Sequence, residues 1–161
     1  NLGPVVKISA AEFIINQMNK ALDKGAKKMI DENKFHFPKE HKNYLVPQIL
    51  TNVNHEMDFM TEETFGPCVG IMKVSDENEA VKLMNDSPYG LTASIWTNDI
   101  GVAEKIGNQV QTGTFFMNRC DYLDPALSWT GVKETGKGCS LSEIAYEKLT
   151  APKSFHLRKG Q

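Results

Sequence analysis

Thr61-Glu62-Glu63-Thr64-Phe65-Gly66-Pro67 sets two carboxylates before a Phe-Gly-Pro turn, and the apolar run Cys68-Val69-Gly70-Ile71-Met72-Lys73-Val74 follows it. Pro67 has its φ fixed and disfavours the α region at Gly66, while Gly66 lets the backbone bend or come close to another group. The apolar run suits a buried parallel strand. A carboxylate at the mouth of such a strand stands where open α/β sheets take ligands. An ionised glutamate offers only acceptors, which suits paired hydroxyl groups such as those of a ribose. The simpler reading of the spacing alone is a charged surface loop leading into a strand.

Downstream, Ser75 or Asp76 caps a helix whose apolar face is Ala80, Val81, Leu83 and Met84. Asn85 to Gly90 is a turn rich in breakers, and Leu91 to Trp96 reads as the next strand. Asp99 caps a helix carrying Val102, Ala103 and Ile106, and Thr112-Gly113-Thr114 turns into the buried strand Phe115-Phe116-Met117. Strand–helix–strand–helix–strand at this spacing predicts an α/β fold with parallel crossovers. From Asn118 to Cys139 the patterning stops, which predicts a long loop of the kind that carries function. Ser140 or Ser142 starts a short helix reaching Leu149, Pro152 ends it, and Ser154 to Arg158 alternates like a half-exposed strand.

Upstream, Ser9 with Glu12 three residues on reads as a capping box. Phe13, Met18, Leu22 and Ala26, with Ile14 and Ala21, form a helical stripe, and Gly25 fits the stop. Lys20, Lys24, Lys27 and Lys28 read as a solvated face matched to the helix dipole. His36 and His41 lie in a polar stretch without the close spacing of a metal site, so no metal is expected. Tyr44 to Leu50 reads as a strand near a sheet edge, because of Pro47.

A chain of 161 residues with ordinary apolar content is enough for a domain with a real core. The net charge of -2 gives no basic patch for nucleic acid, and no apolar run approaches the roughly 20 residues of a membrane helix. The three cysteines, Cys68, Cys120 and Cys139, are widely spaced and read as reduced thiols, which suggests a cytoplasmic setting. The start at Asn1 reads as that of a fragment, leaving room for an upstream targeting segment. Cys139 follows Gly138 and precedes a predicted helix, the sort of place where a nucleophilic thiol occurs; an incidental loop cysteine is the preferred reading. Gly136-Lys137-Gly138 is a lone G-x-G, and there is neither a phosphate-binding P-loop nor a dinucleotide fingerprint.

Glu62 to Pro67 resembles the E-E-x-F-G-P motif of the NAD(P)-dependent aldehyde dehydrogenases. Asn85-Asp86-Ser87-Pro88-Tyr89-Gly90-Leu91 is similar to that family's N-x-x-x-Y-G-L stretch, and Thr112-Gly113-Thr114, Asn118 and Gly131-Val132-Lys133-Glu134-Thr135-Gly136 follow in the family's order. The resemblance runs from about Gly3 to about Leu157 and covers the C-terminal part of such an enzyme. It implies most of an α/β catalytic domain over residues 1–151 and an oligomerisation-type strand and tail over 152–161. It also implies a parent that oxidises an aldehyde to a carboxylate with NAD or NADP, through a cysteine thiohemiacetal and thioester, as a homo-oligomer. The family's nucleophilic cysteine and general-base glutamate precede the matched region, so the resemblance assigns no catalytic residue here and predicts that the chain alone is inactive. The alternative from another class is a non-catalytic remnant that oligomerises or binds a partner.

Residue by residue, the resemblance gives Glu63 the nicotinamide-ribose hydroxyls and Phe65 a place beside the nicotinamide. Asn118 falls on a residue supporting the active-site wall. Trp129 falls on an aromatic position of the aldehyde tunnel, and Cys120, Asp121 and Leu123 fall on the same lining loop. Without the resemblance, Trp129 reads as a core residue. Thr130 departs from the pattern, since many members carry Gly there.

Overall fold

The structure is a computed structural model that describes residues 2–36, 40–120 and 122–160. The chain divides into two compact units, Asn1–Val74 and Ser75–Gln161.

The first unit opens with helix α1, Ile8–Asp23. Its N-cap is Lys7 rather than the expected Ser9, and no side chain caps it. The Lys7 carbonyl already accepts from Ala10 and Ala11 at 3.1 and 3.3 Å, so the backbone is helical before Ser9 is reached. The stop at Gly25 is as expected. Gly25 has φ 100° and its N–H reaches Leu22 at 2.9 Å, while Ala26 N–H reaches back to Ala21 at 3.0 Å. This pair of bonds is a Schellman closure, which consumes carbonyls that the helix end would leave unpaired.

Strand β1 (Lys27–Lys28), a 3-10 turn (Glu32–Lys34), strand β2 (Gln48–Thr51), helix α2 (Asp58–Thr61) and strand β3 (Cys68–Ile71) complete the unit. The sheet order is β1-β2-β3, antiparallel then parallel, with Gln48 opposite Cys68 and Thr51 opposite Ile71. β2 is therefore the central strand, correcting the edge position expected from Pro47. Proline is excluded from a ladder, not from the residue before one: pairing starts at Gln48, whose N–H donates to Pro67 at 2.8 Å. Ile14, Met18, Ala21, Leu50, Met57 and Phe59 form the core. Ile14 and Leu50 are fully enclosed, each contributing roughly 1.5–3 kcal/mol. β3 is shorter than expected and is not buried on both faces, for Val69 and Ile71 are 54% and 52% exposed. Cys68 points the other way, packs against the core, and its thiol pKa is pushed up by burial.

The second unit comprises helix α3 (Glu77–Asn85), strands β4 (Tyr89–Gly90) and β5 (Thr92–Ile95), helix α4 (Ile100–Gly107), strands β6 (Thr114–Met117), β7 (Trp129–Thr130), β8 (Val132–Lys133) and β9 (Cys139–Ser140), and helix α5 (Ile144–Leu149). Both expected caps form. Asp76 accepts from Glu79 N–H at 2.9 Å, the Glu79 carboxylate accepts from Ser75 N–H at 2.6 Å, and Asp99 accepts from Val102 N–H at 3.0 Å. α4 carries the crossover between the parallel strands β5 and β6, over a core of Val81, Ile106 and Val110 backed by Ala93, Ile95 and Phe115. The α/β class is thus as expected, but the parallel strands come as two pairs, β2–β3 and β5–β6.

Two expectations fail here. The stretch from Asn118 to Cys139 is not structureless, since β4 pairs with β8 and β7 with β9, both antiparallel. Two-residue strands are too short to show a period. Ser154 to Arg158 forms no strand, and residues 151–160 are exposed. Alternating residues supply a face, but a strand also needs a ladder partner, and none pairs with this segment among the described residues.

Candidate functional site

The loop Glu62–Pro67 leaves α2 and enters β3, and its exposure alternates: Glu63 and Phe65 face out, Thr64 and Gly66 less so. Thr64 Oγ1 donates to Gln17 Oε1 on α1 at 2.9 Å. Gly66 lies so near the same helix that a Cβ there would stand 2.4 Å from Ile14 Cδ1. These two contacts seat the loop on α1, and Pro67 seats it on β2 through the bond to Gln48. The outward side chains are left at the mouth of a groove of about 320 Å³, lined by Glu63, Phe65, Lys7, Ser9, Phe13 and neighbours. Phe65 is 80% exposed, a large aromatic face with nothing packed over it among the described residues. An acceptor-only carboxylate beside a bare ring is suited to a ligand with a hydroxylated part and a flat part.

In the second unit most polar groups of the expected motifs are spent on backbone. Asn118 has φ 56°; its Oδ1 accepts from Thr97 N–H at 3.0 Å and its Nδ2 donates to Thr97 O at 2.8 Å. The side chain thus continues, by two bonds, the ladder that β6 and β5 end. Asn85 bridges Gln109 O and Gln111 N–H at 2.8 and 2.7 Å. Lys133 Nζ donates to Asn85 O and Ser87 O at 2.8 and 2.9 Å, and Thr135 Oγ1 accepts from Gly90 N–H at 2.7 Å. Gly113 lies where a Cβ would be 1.6 Å from the Thr130 carbonyl oxygen. Thr130, the departure noted above, donates its hydroxyl to Gly138 O at 2.7 Å and so holds β7 to the turn before β9.

Trp129 is half-buried and lines two spaces. One is an open groove of about 430 Å³ shared with Leu91, Thr135 and Cys139; the other is a void of about 20 Å³ shared with Phe116, Tyr122, Leu127 and Leu141. Cys120 and Leu123 are exposed on the chain running from Asn118 and are not among the residues lining either space. Arg119 stacks over Tyr122 with its guanidinium 3.8 Å from the ring centroid. Asp121 lies outside the described residues. Cys139 sits in β9 opposite Thr130, four residues before the residue that caps α5. Its polar contact is Ser140 O at 3.5 Å. Among the described residues no group of three or more His, Cys, Asp or Glu could hold a metal ion, and no helix is long and apolar enough to cross a membrane.

The profile of the aldehyde dehydrogenase family matches residues 1–155. The chain belongs to the aldehyde dehydrogenase family. It is 31% identical over 151 residues to the 3-sulfolactaldehyde dehydrogenase of Priestia aryabhattai, covering 93% of this chain and 30% of that protein. It is 32% identical over 152 residues to the NADP(+) succinate-semialdehyde dehydrogenase of Deinococcus radiodurans, covering 94% and 31%. Among solved structures, betaine aldehyde dehydrogenase of Staphylococcus aureus in complex with NAD+ superimposes with a TM-score of 0.80 at 29% identity, over 91% of this chain and 29% of that one. The chain spans about three-tenths of the length of the curated relatives it matches.

Within this aldehyde dehydrogenase-family chain, the structure brings Glu63 and Phe65 together on one groove. It brings Trp129, but not Cys120 or Leu123, into the spaces of the second unit. Sequence reasoning missed Gln17 and the use made of Lys133. A polar residue on the buried side of an amphipathic helix was the available signal for Gln17: the buried residues of α1 are Ala11, Ile14, Gln17, Met18 and Ala21. For Lys133 no local signal existed, because its acceptors lie more than forty residues away.

Proposed function

We propose that the chain is the C-terminal part of an NAD(P)+-dependent aldehyde dehydrogenase, and that Glu63 and Phe65 receive the nicotinamide half of its cofactor. The observation that carries this reading is the loop Glu62–Pro67, whose inward residues are spent on α1 while a carboxylate and a bare ring stand together on its outer side. The residues present fit that half of a dinucleotide. Bound NAD(P)+ supplies the hydride acceptor. Glu63 accepts bonds from ribose hydroxyls, and Phe65 shields one side of the flat ring and fixes its plane. Asn118 holds the end of β6 rigid, and Trp129 lines the aldehyde's approach, with Cys120, Asp121 and Leu123 on the same loop.

In this reading the nucleophilic cysteine that forms the thiohemiacetal and thioester, and the glutamate that activates water, come from outside the chain. Residues 1–151 are part of the catalytic domain, and the tail 152–161 pairs with another subunit, in a cytoplasmic homo-oligomer. Exposed Phe155 and Leu157, at 72% and 86%, favour assembly through that tail, and they equally support a second reading, a non-catalytic oligomerising remnant.

Glu63→Gln in the complete enzyme tests the proposal. It preserves shape but loses charge-assisted bonds worth roughly 1.5–3 kcal/mol each. NAD(P)+ affinity should fall and single-turnover hydride transfer should slow, with the melting temperature unchanged. The 161-residue chain by itself should give no reduced cofactor with any aldehyde. If affinity and hydride transfer both stay at wild-type values, Glu63 is an ordinary surface residue and the cofactor role is lost.

A further inference from the structure

The first unit buries two glutamines, Gln17 at 3% and Gln48 at 2% exposure. They are used differently. Gln48 uses both ends of its amide: Oε1 accepts from Met29 and Ile30 N–H at 3.2 and 2.9 Å, and Nε2 donates to Ile30 O at 3.0 Å. Gln17 satisfies half. Its Oε1 accepts from Thr64, while its buried Nε2 has no acceptor among the described residues. An unmet buried donor is destabilising. Methionine has nearly the same length, fills irregular space well and has no donor to satisfy. Packing of α1 therefore does not ask for an amide at position 17. What the amide does is hold Thr64, and Thr64 stands between Glu63 and Phe65 with its side chain turned the opposite way.

We infer that Gln17 is a positioning residue: through Thr64 it sets where Glu63 and Phe65 stand, and so how firmly the nicotinamide half of NAD(P)+ is held. This rests on the reading of Glu63 and Phe65 as cofactor contacts. Gln17 touches neither of them by a hydrogen bond, and its effect passes through one loop residue.

Gln17→Met and Thr64→Val each remove the bond, and Thr64→Ser keeps the hydroxyl. Hydrogen exchange is followed in the full 161-residue chain. In Gln17→Met the amides of residues 62–66 should exchange about fivefold faster, the ratio one ordinary hydrogen bond is worth. The amides of α1 should keep their rates, and the melting temperature should not drop, because an unmet donor leaves with the bond. Thr64→Val should give the same loop pattern, the double variant no more than either alone, and Thr64→Ser should stay near wild type. In the complete enzyme Gln17→Met should raise the Kd for NAD(P)+ by a similar factor. A merely structural amide gives the reverse, with a lower melting temperature and faster exchange along α1. Unchanged exchange at 62–66 overturns the inference. So does a Kd that stays put in Gln17→Met while Glu63→Gln raises it. If neither variant moves the Kd although the loop has loosened, the cofactor reading beneath the inference has failed.

Discussion

The loop Glu62–Pro67 in the first unit and the chain from Asn118 to Ser142 in the second both connect regular elements, but they use their residues in opposite ways. In the first, inward residues make the attachment and the outward pair is left unspent. In the second, Asn118, Thr130, Lys133 and Thr135 all direct their polar groups at backbone. A motif residue can therefore be needed for either of two reasons, to present chemistry or to make an unusual backbone path possible. The bonds it has already made tell which.

Glycine substitutions sharpen this contrast most. Gly113→Ala drives a methyl into the Thr130 carbonyl oxygen, 1.6 Å away, and backbone on a paired strand has nowhere to go. The expected loss is about 3 kcal/mol or more, read as a lower urea midpoint with β7 and β9 loosened. Gly66→Ala meets side-chain atoms of Ile14, chiefly its Cδ1, rather than backbone. About 1 kcal/mol is expected there, with Phe65 displaced outward. Equal losses at the two sites would erase the distinction between a loop resting on a side chain and one locked to backbone.

The smallest effect is electrostatic. The Ser75 N–H and hydroxyl hold the Glu79 carboxyl below its ordinary pKa of 4.5. A pKa depressed in the folded state adds stability above the unfolded value, and that stability fades as pH falls through the folded one. Acidification below about 4.5 should therefore weaken the start of α3, with Glu79→Gln showing a flatter stability profile over the same range. Because the carboxylate is exposed, the difference should be small, and greatest at low salt. Parallel profiles for the two proteins would remove Glu79 from the cap.

What was legible in sequence follows from the range of the forces. Caps act over three or four residues, so Asp76, Asp99 and the Gly25 stop were readable. Ser9 misled because a capping side chain counts only if the backbone has not already turned, and at Lys7 it has. Apolar runs gave β3, β5 and β6 but not their neighbours, since pairing is settled by contacts distant in sequence. Thus Pro47 suggested an edge while β2 took the centre, and β7 to β9 were invisible. At the site, the types and order of Glu63, Phe65 and Trp129 were readable. What holds Glu63 and Phe65 in place was not, because Gln17 lies 47 residues from Thr64.

Parallel strands cannot be joined by a tight turn, and the crossover from β2 to β3 contains both α2 and the Glu62–Pro67 loop. In folding, closing that crossover is entropically opposed until the ladder forms. Pairing Gln48 with Cys68 already requires Gly66 and Pro67 beside them, so the last residues of the loop arrive with the ladder. The end of the Glu62–Pro67 loop and the sheet thus form together. Glu63 and Phe65 are then placed by the Thr64–Gln17 contact once α1 packs on the sheet.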